Sequence, residues 1–293
     1  MKKIKGVVPP MITPFKKNGD LDVENLKKLI RFLKNEVDGL FITGSYGSGA
    51  LMNLEERMKV AEITSEILEG KIPFITMVGT TNNRDSVELA KHSERSGATA
   101  VAATGPYYYK HNKEDLMRFY TDLIESVSIP VYLYNNPKFQ GYEISLSTIK
   151  ELKKIGLRGI KDATFDILVH ANYHRVLKDN EFDIVLGTEA MWLAARTLGC
   201  EAFIPGLANV FPEINRKMYK EGMCNNIEAC RETQFMVNRI REIMYLARST
   251  QLAVYAMLDI RGIVKCYPRA PFVEATGEEK KKIKVELKKI KMI

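Results

Sequence analysis

Eight short apolar runs rich in β-branched residues alternate with longer stretches of helical period, and this alternation restricts the fold more than any other feature of the chain. The runs are Ile4–Val8, Gly39–Thr43, Pro73–Val78, Ala98–Ala103, Pro130–Tyr134, Leu157–Lys161, Phe182–Leu186 and Cys200–Ile204. Asp22–Glu36 is the first amphipathic segment between them, with Val23, Leu26, Leu29, Ile30 and Leu33 at helical spacing. Leu54–Leu68, Asn83–Ser96, Lys113–Val127, Ser145–Ile155, Ile167–Leu177, Met191–Leu198 and Phe211–Glu221 follow. Repeated strand–helix units form parallel sheets. The runs are apolar on both faces, as in a sheet covered on both sides. Eight units favour closure into a (β/α)8 TIM barrel over an open doubly wound sheet. Length agrees, since such a barrel takes roughly 250 residues and the chain has 293.

After residue 222 the pattern changes to helices without strands: Asn225–Met244, Thr250–Leu258 and the tail. The chain therefore divides into a catalytic barrel, 1–222, and a C-terminal helical extension, 223–293, packed on the barrel or on a partner subunit. Much of the net charge of +8 lies in that tail, where Ile283, Val285, Leu287 and Ile290 form a partial stripe among lysines. A solvated terminal helix explains it better than a nucleic-acid surface, because no RNP-like or zinc-finger spacing accompanies it. The four cysteines form no C-x-x-C pair, which fits reduced thiols in a cytoplasmic protein. No secretory core or membrane-length apolar run is present, so no membrane partner is expected.

In such barrels the chemistry sits at the C-terminal ends of the strands. Lys161 closes the sixth run in GLRGIKDAT. An amine buried there loses its proton more readily and becomes a nucleophile; a solvated strand-end lysine or a partner for Asp162 is the plainer alternative. Tyr134 closes the neighbouring fifth run in PVYLYNNP and could pass protons to a carbinolamine, or simply cap the core. GSYGSGALMNLEER, Gly44–Arg57, is a glycine-rich turn whose amides and hydroxyls at Ser45 and Tyr46 suit a small anion. It is neither a dinucleotide fingerprint nor a P-loop. GPYYYK, Gly105–Lys110, places three tyrosines at the mouth, suited to a site wall or a subunit interface. His170 and His174 are four apart on a helix but lack the zincin H-E-x-x-H. They are expected to be a surface pair, and no metal is expected.

GSYGS, PYY, YNNP and GIKDAT, in that order, resemble the dihydrodipicolinate synthase / N-acetylneuraminate lyase family of pyruvate-dependent class I aldolases, from VVPPMITPF onward. The resemblance implies that Lys161 forms the Schiff base with a 2-keto acid, no other cofactor being needed, and that Tyr134 relays protons. It implies that Ser45 and Tyr46 hold the keto-acid carboxylate. Gly187, Thr188, Glu189 and Ile204 line the pocket around the substrate tail, with Asn136 adding a hydrogen bond. Tyr108 matches a tyrosine that reaches into a neighbouring subunit's site, in a homotetramer built as a dimer of dimers.

Three departures refine the expectation. Dihydrodipicolinate synthases carry an arginine two residues after YN-x-P to hold the aldehyde's carboxylate, and Phe139 stands there instead. Losing such a contact costs about 2–5 kcal/mol, and Lys138 lacks the guanidinium fork. Tyr46 replaces the usual threonine of the turn, and Ser48 replaces the acidic residue that commonly follows it. The segment is more similar to archaeal 2-keto-3-deoxygluconate aldolases, which split a keto sugar acid into pyruvate and glyceraldehyde. Condensation of pyruvate with aspartate semialdehyde is the alternative within the same mechanism, and a non-catalytic keto-acid-binding barrel is the alternative of another class.

Overall fold

The computed structural model describes residues 4–293. Eight parallel strands run in the order β1-β8-β7-β6-β5-β4-β3-β2. They are β1 Gly6–Val7, β2 Leu40–Ile42, β3 Phe74–Met77, β4 Ala100–Ala103, β5 Val131–Asn135, β6 Gly159–Asp162, β7 Asp183–Leu186 and β8 Ala202–Phe203. A parallel bridge between Pro10 and Phe41 joins the two ends. The Phe41 amide donates to the Pro9 carbonyl at 3.0 Å and the Met11 amide to the Phe41 carbonyl at 2.9 Å. This is the expected (β/α)8 barrel, each strand falling inside or within one residue of an anticipated run.

The helices are α1 Val23–Leu33, α2 Leu54–Leu68, α3 Asn83–Arg95, α4 Lys113–Ser126, α5 Pro137–Gln140, α6 Leu146–Lys154, α7 Ile167–Leu177, α8 Trp192–Thr197, α9 Pro212–Met223, α10 Ile227–Met244, α11 Thr250–Ile260 and α12 Gly277–Lys289. Their starts follow from local chemistry. Asn53 and Asn112 begin α2 and α4 as capping boxes, reciprocated by Glu56 and Asp115, which satisfies two otherwise orphaned amides each. Asp22, Asn82, Ser145, Asp166 and Ser249 cap α1, α3, α6, α7 and α11 one way only, each side chain accepting from a backbone amide of the first turn. The single-turn α5 went unanticipated: Pro137 at its first position and the Asn136 cap start it, and Gly141 in a left-handed conformation stops it.

The hydrophobic interior has three parts. The barrel lumen holds Val8, Phe41, Ile75, Met77, Tyr132, Tyr134, Val185 and Ile204. Two further layers lie between sheet and helices. One of them is continuous with the C-terminal helices: Trp192, Phe203 and Met218 share it with Val237, Ile240, Met257, Ile283 and Leu287.

The tail therefore differs from a solvated helix. The lysine-rich α12 buries Ile283 and Leu287 completely while Val285 stays exposed. Its lysine excess lies on the outer face, with Lys282 and Lys289 ion-paired to Glu278 and Glu286. Ile283→Ala or Leu287→Ala should lower unfolding stability by about 2–4 kcal/mol, whereas Val285→Ala should change it by less than about 0.5 kcal/mol. Urea unfolding of the three variants measures the contrast, and a large loss at Val285 would contradict the docked face.

Candidate active site

The register of the sheet builds the centre of the site. β5 and β6 pair so that Tyr134 stands opposite Lys161 and Asn135 opposite Asp162. Both side chains point into the barrel mouth, where Phe41 from β2 completes the surroundings. The Lys161 Nζ lies 3.7 Å from the Tyr134 ring centroid and 3.8 Å from that of Phe41, and the two rings meet edge to face at 5.7 Å. Lys161 is only 4 % exposed. Burial pushes its amine well below the usual lysine range, because the ammonium loses its hydration.

Asp162 does not pair with the lysine. One of its oxygens accepts from the amide and hydroxyl of Thr164, at 3.0 and 2.7 Å, and the other meets His170 Nδ1 at 2.9 Å. The carboxylate beside Lys161 in sequence is thus turned outward between β6 and α7.

The Tyr134 hydroxyl lies 3.3 Å from Ser45 Oγ and accepts from Asn136 Nδ2 at 3.0 Å. Burial pushes its pKa up, while the Ser45 and Asn136 hydrogen bonds pull it partly back. The phenol is therefore a proton carrier rather than a phenolate at neutral pH. Asn136 serves this hydroxyl and caps α5 through its Oδ1, which accepts from the Phe139 amide at 3.3 Å.

The turn that presents Ser45 is forced by close packing. A Cβ at Gly49 would sit 1.9 Å from the Thr43 carbonyl oxygen, so only glycine allows the chain to fold back there. Tyr46 takes a different course from the one its position suggested. Its hydroxyl donates to Thr250 Oγ1 at 2.7 Å, at the start of α11, and its ring lies against Gly206, where an added Cβ would meet it at 2.5 Å. Burial and the nearby Glu189 hold that phenol protonated. The side chain forms a wall of the cavity.

A cavity of about 630 Å³ opens above Lys161. Ser45, Tyr46, Tyr134, Asn136, Lys161, Gly187, Thr188, Glu189 and Ile204 all border it. Tyr108 does not; it is 84 % exposed on the loop after β4, at φ +83, stacked edge to face on Tyr109. Glu189 is anchored in the cavity wall. Its carboxylate pairs with Arg241 and accepts from the Gly206 amide, and Glu189 holds the Arg241 guanidinium firmly charged. Each of its oxygens thus accepts one hydrogen bond from the protein and keeps a further lone pair. Thr188 Oγ1 accepts from the Ala190 amide at 3.1 Å and keeps its own proton to donate.

Arg241, Tyr245, Arg248, Thr250 and Gln251 also border the cavity. They come from α10, α11 and their junction, residues that no motif singled out. Gln251 Nε2 donates to the Tyr46 carbonyl at 3.0 Å and to Ser48 Oγ at 2.8 Å, so the C-terminal helices brace the turn. Phe139 and Phe165 lie at the mouth with their rings largely exposed.

The pattern of the dihydrodipicolinate synthetase family matches residues 3–290. The chain belongs to that family. Its members are pyruvate-dependent lyases and aldolases, and this chain is a carbon–carbon lyase of that class. It is 30 % identical over 290 residues to the 4-hydroxy-tetrahydrodipicolinate synthase of Archaeoglobus fulgidus, covering 99 % of both chains. It is also 30 % identical over 295 residues to the probable 2-dehydro-3-deoxy-D-pentonate aldolase of Escherichia coli K12, covering 98 % of this chain and 97 % of that one. Among solved structures it is similar to the KD(P)GA of T. tenax, with a TM-score of 0.90, 27 % identity and 99 % of each chain covered. Among the described residues no helix is long and apolar enough to cross a membrane.

The buried amine has a measurable cost. An unfolded chain holds the lysine proton up to about pH 10.4, while the folded site releases it at lower pH. Between these limits the unfolded state binds more protons, so the Lys161 contribution to stability rises with pH. Lys161→Met should therefore raise the thermal midpoint at neutral pH, and the gap to the parent should narrow as the pH rises. A lower midpoint for Lys161→Met at neutral pH would contradict an uncompensated buried amine.

Proposed function

We propose that this chain is a Schiff-base aldolase that cleaves 2-keto-3-deoxy sugar acids, of the 2-keto-3-deoxygluconate type, reversibly to pyruvate and an aldehyde such as glyceraldehyde. The observation that carries the mechanism is the Lys161 amine: buried, without a carboxylate partner among the described residues, and over the ring of Tyr134 in a cavity that both residues border. An amine released from its proton by burial attacks the C2 carbonyl of a keto acid. Tyr134 supplies the proton that lets the carbinolamine lose water, with Ser45 as the next hydroxyl in the relay. In the resulting iminium ion the C3–C4 bond breaks as the C4 hydroxyl gives up its proton to the relay. The aldehyde departs, the remaining enamine is protonated at C3, and water releases pyruvate and the free lysine.

The substrate carboxylate is assigned to the turn at Ser45–Tyr46, both residues of which border the cavity. Three features favour an uncharged hydroxylated tail. Phe139 offers no charge for a second carboxylate. Glu189 and Arg241 neutralise one another. Thr188 retains a hydroxyl to donate, while Gly187 and Ile204 leave room. The likeness to the Escherichia coli pentonate aldolase and to the T. tenax protein supports the same reading. Tyr108, exposed and set apart from its own cavity, is assigned to a neighbouring subunit's site in a homotetramer.

Lys138 and Arg248 border the cavity mouth, and this favours one second reading, condensation of pyruvate with aspartate semialdehyde. The relative from Archaeoglobus fulgidus carries that activity in its name.

Reduction with borohydride in the presence of pyruvate should leave a stable adduct on the peptide containing Lys161, absent in Lys161→Ala. Turnover of pyruvate with glyceraldehyde should exceed that with aspartate semialdehyde at least tenfold, and Phe139→Arg should narrow the ratio. The opposite preference in the parent would replace the sugar-acid reading with the synthase. An adduct without turnover of any aldehyde would leave a binding barrel.

A further inference from the structure

Outside the catalytic cavity, the barrel wall holds a second cluster of reactive side chains. His170 and His174 lie four apart on α7, so they share one helical face. That face is turned inward: His170 is 0 % exposed, in place of the surface position expected for it. Its ring lies 4.9 Å from that of His174. Cys200, on the segment that leads into β8, is fully buried against the same face. One donor atom from each of His170, His174 and Cys200 can be chosen so that all lie within 4.8 Å of one another.

We propose that His170, His174 and Cys200 form a binding site for a thiophilic divalent cation of the zinc class, on the wall of the barrel and separate from the Schiff-base chemistry.

The donor set is the first argument. Two imidazoles and one thiolate are the ligands that zinc and cobalt prefer, and they discriminate against magnesium and calcium. Bonds of about 2.0–2.3 Å place tetrahedral donors about 3.3–3.8 Å apart. The three atoms need to close by roughly an ångström, within reach of side-chain rotation.

The orientation of His170 is the second argument. Its Nδ1 faces Asp162 Oδ2 at 2.9 Å, the carboxylate–imidazole pairing that fixes the tautomer of metal-bound histidines and raises their basicity. That leaves Nε2 toward the cluster, buried and without a hydrogen-bond partner of ordinary geometry among the described residues. A cation on Nε2 would draw on the same buried carboxylate. Binding displaces the Cys200 thiol proton and takes the Nε2 lone pair of an imidazole that donates to Asp162 through Nδ1.

Access is the third argument. His174 borders a cavity of about 400 Å³ at the opposite end of the barrel from Lys161, together with Ile184, Gly199 and Ala202. An ion would reach the buried pair His170 and Cys200 from the His174 side, next to Gly199 in this cavity wall. An ion held there would tie α7 to β8, two elements distant in sequence.

Chelator-treated full-length protein titrated with Co²⁺ tests the site. The expected result is saturation at one ion per chain, with a thiolate-to-cobalt charge-transfer band in the near ultraviolet and the strong visible bands of tetrahedral cobalt. Cys200→Ser should abolish the charge-transfer band, and His174→Ala should weaken binding at least tenfold. Both variants should still form the pyruvate adduct on Lys161, which shows that they fold. Zn²⁺, but not Mg²⁺, should raise the thermal midpoint of the parent and should not raise that of Cys200→Ser. Absence of saturable binding, binding without the charge-transfer band, or equal affinity in the parent and both variants would overturn the proposal.

Discussion

An amine confined between two aromatic rings, with no anion among the described residues to balance it, is the constraint around which the barrel mouth is arranged. An isolated ammonium in an apolar site carries a large desolvation penalty, and a protein escapes it by pairing the charge or by giving up the proton. Pairing was available, since Asp162 is adjacent in sequence. The alternation of side chains along β6 sends the two residues to opposite faces of the sheet. Lys161 enters the lumen, and Asp162 faces α7, where Thr164 and His170 take up its oxygens. The same alternation that makes a barrel strand thus separates the lysine from its nearest carboxylate. What remains for Lys161 is the faces of Phe41 and Tyr134, whose quadrupoles soften the desolvation without neutralising the charge.

The architecture was legible because barrel formation depends on period and repetition, which are properties of the sequence itself. Lys161 and Tyr134 were legible for a related reason. Both end strands, both fall on the lumen side, and consecutive β5 and β6 are neighbours in a barrel of parallel βα units. The side chains whose roles shifted are those whose partners lie far away. Tyr46 meets Thr250 across a separation of 204 positions, and Glu189 meets Arg241 across 52. No local pattern announces such pairs. His170 misled for the same reason: a histidine four residues from another reads as a helix-surface pair until Cys200 and Asp162 are brought against it. In α12 the lysines outnumber the apolar residues, and the two that dock, Ile283 and Leu287, are a sparse stripe that signals burial only once a groove exists to receive it.

These long-range pairs also change how the chain divides. A boundary near residue 222 follows the last barrel helix, yet the hydrophobic layer continues from Trp192 and Phe203 into Val237, Ile240 and Met257 without a break. Gln251 and Thr250 hold the turn of Ser45 and Tyr46 in place. The C-terminal helices act less as an appendage than as the outer wall of the site.

That division of labour separates two properties of the molecule. The buried amine and its two rings stand on strands β2, β5 and β6, whose register is locked by the barrel and whose residues cannot move without disturbing the lumen. The upper wall is made by the turn at Ser45–Tyr46, by α5 and by residues 241–251, where side chains meet the cavity from helix ends and connections. Apart from Ser45 and Asn136, which hydrogen-bond the Tyr134 hydroxyl, the side chains there border the cavity without touching the amine or its two rings. Phe139 shows the consequence. It sits on the first turn of a four-residue helix, exposed at 58 %, so replacing an arginine by phenylalanine at this point removes a charge from the mouth without touching a packed core. Specificity in such a barrel can therefore drift at little cost in stability, because the residues that choose the aldehyde are not the residues that hold the barrel together.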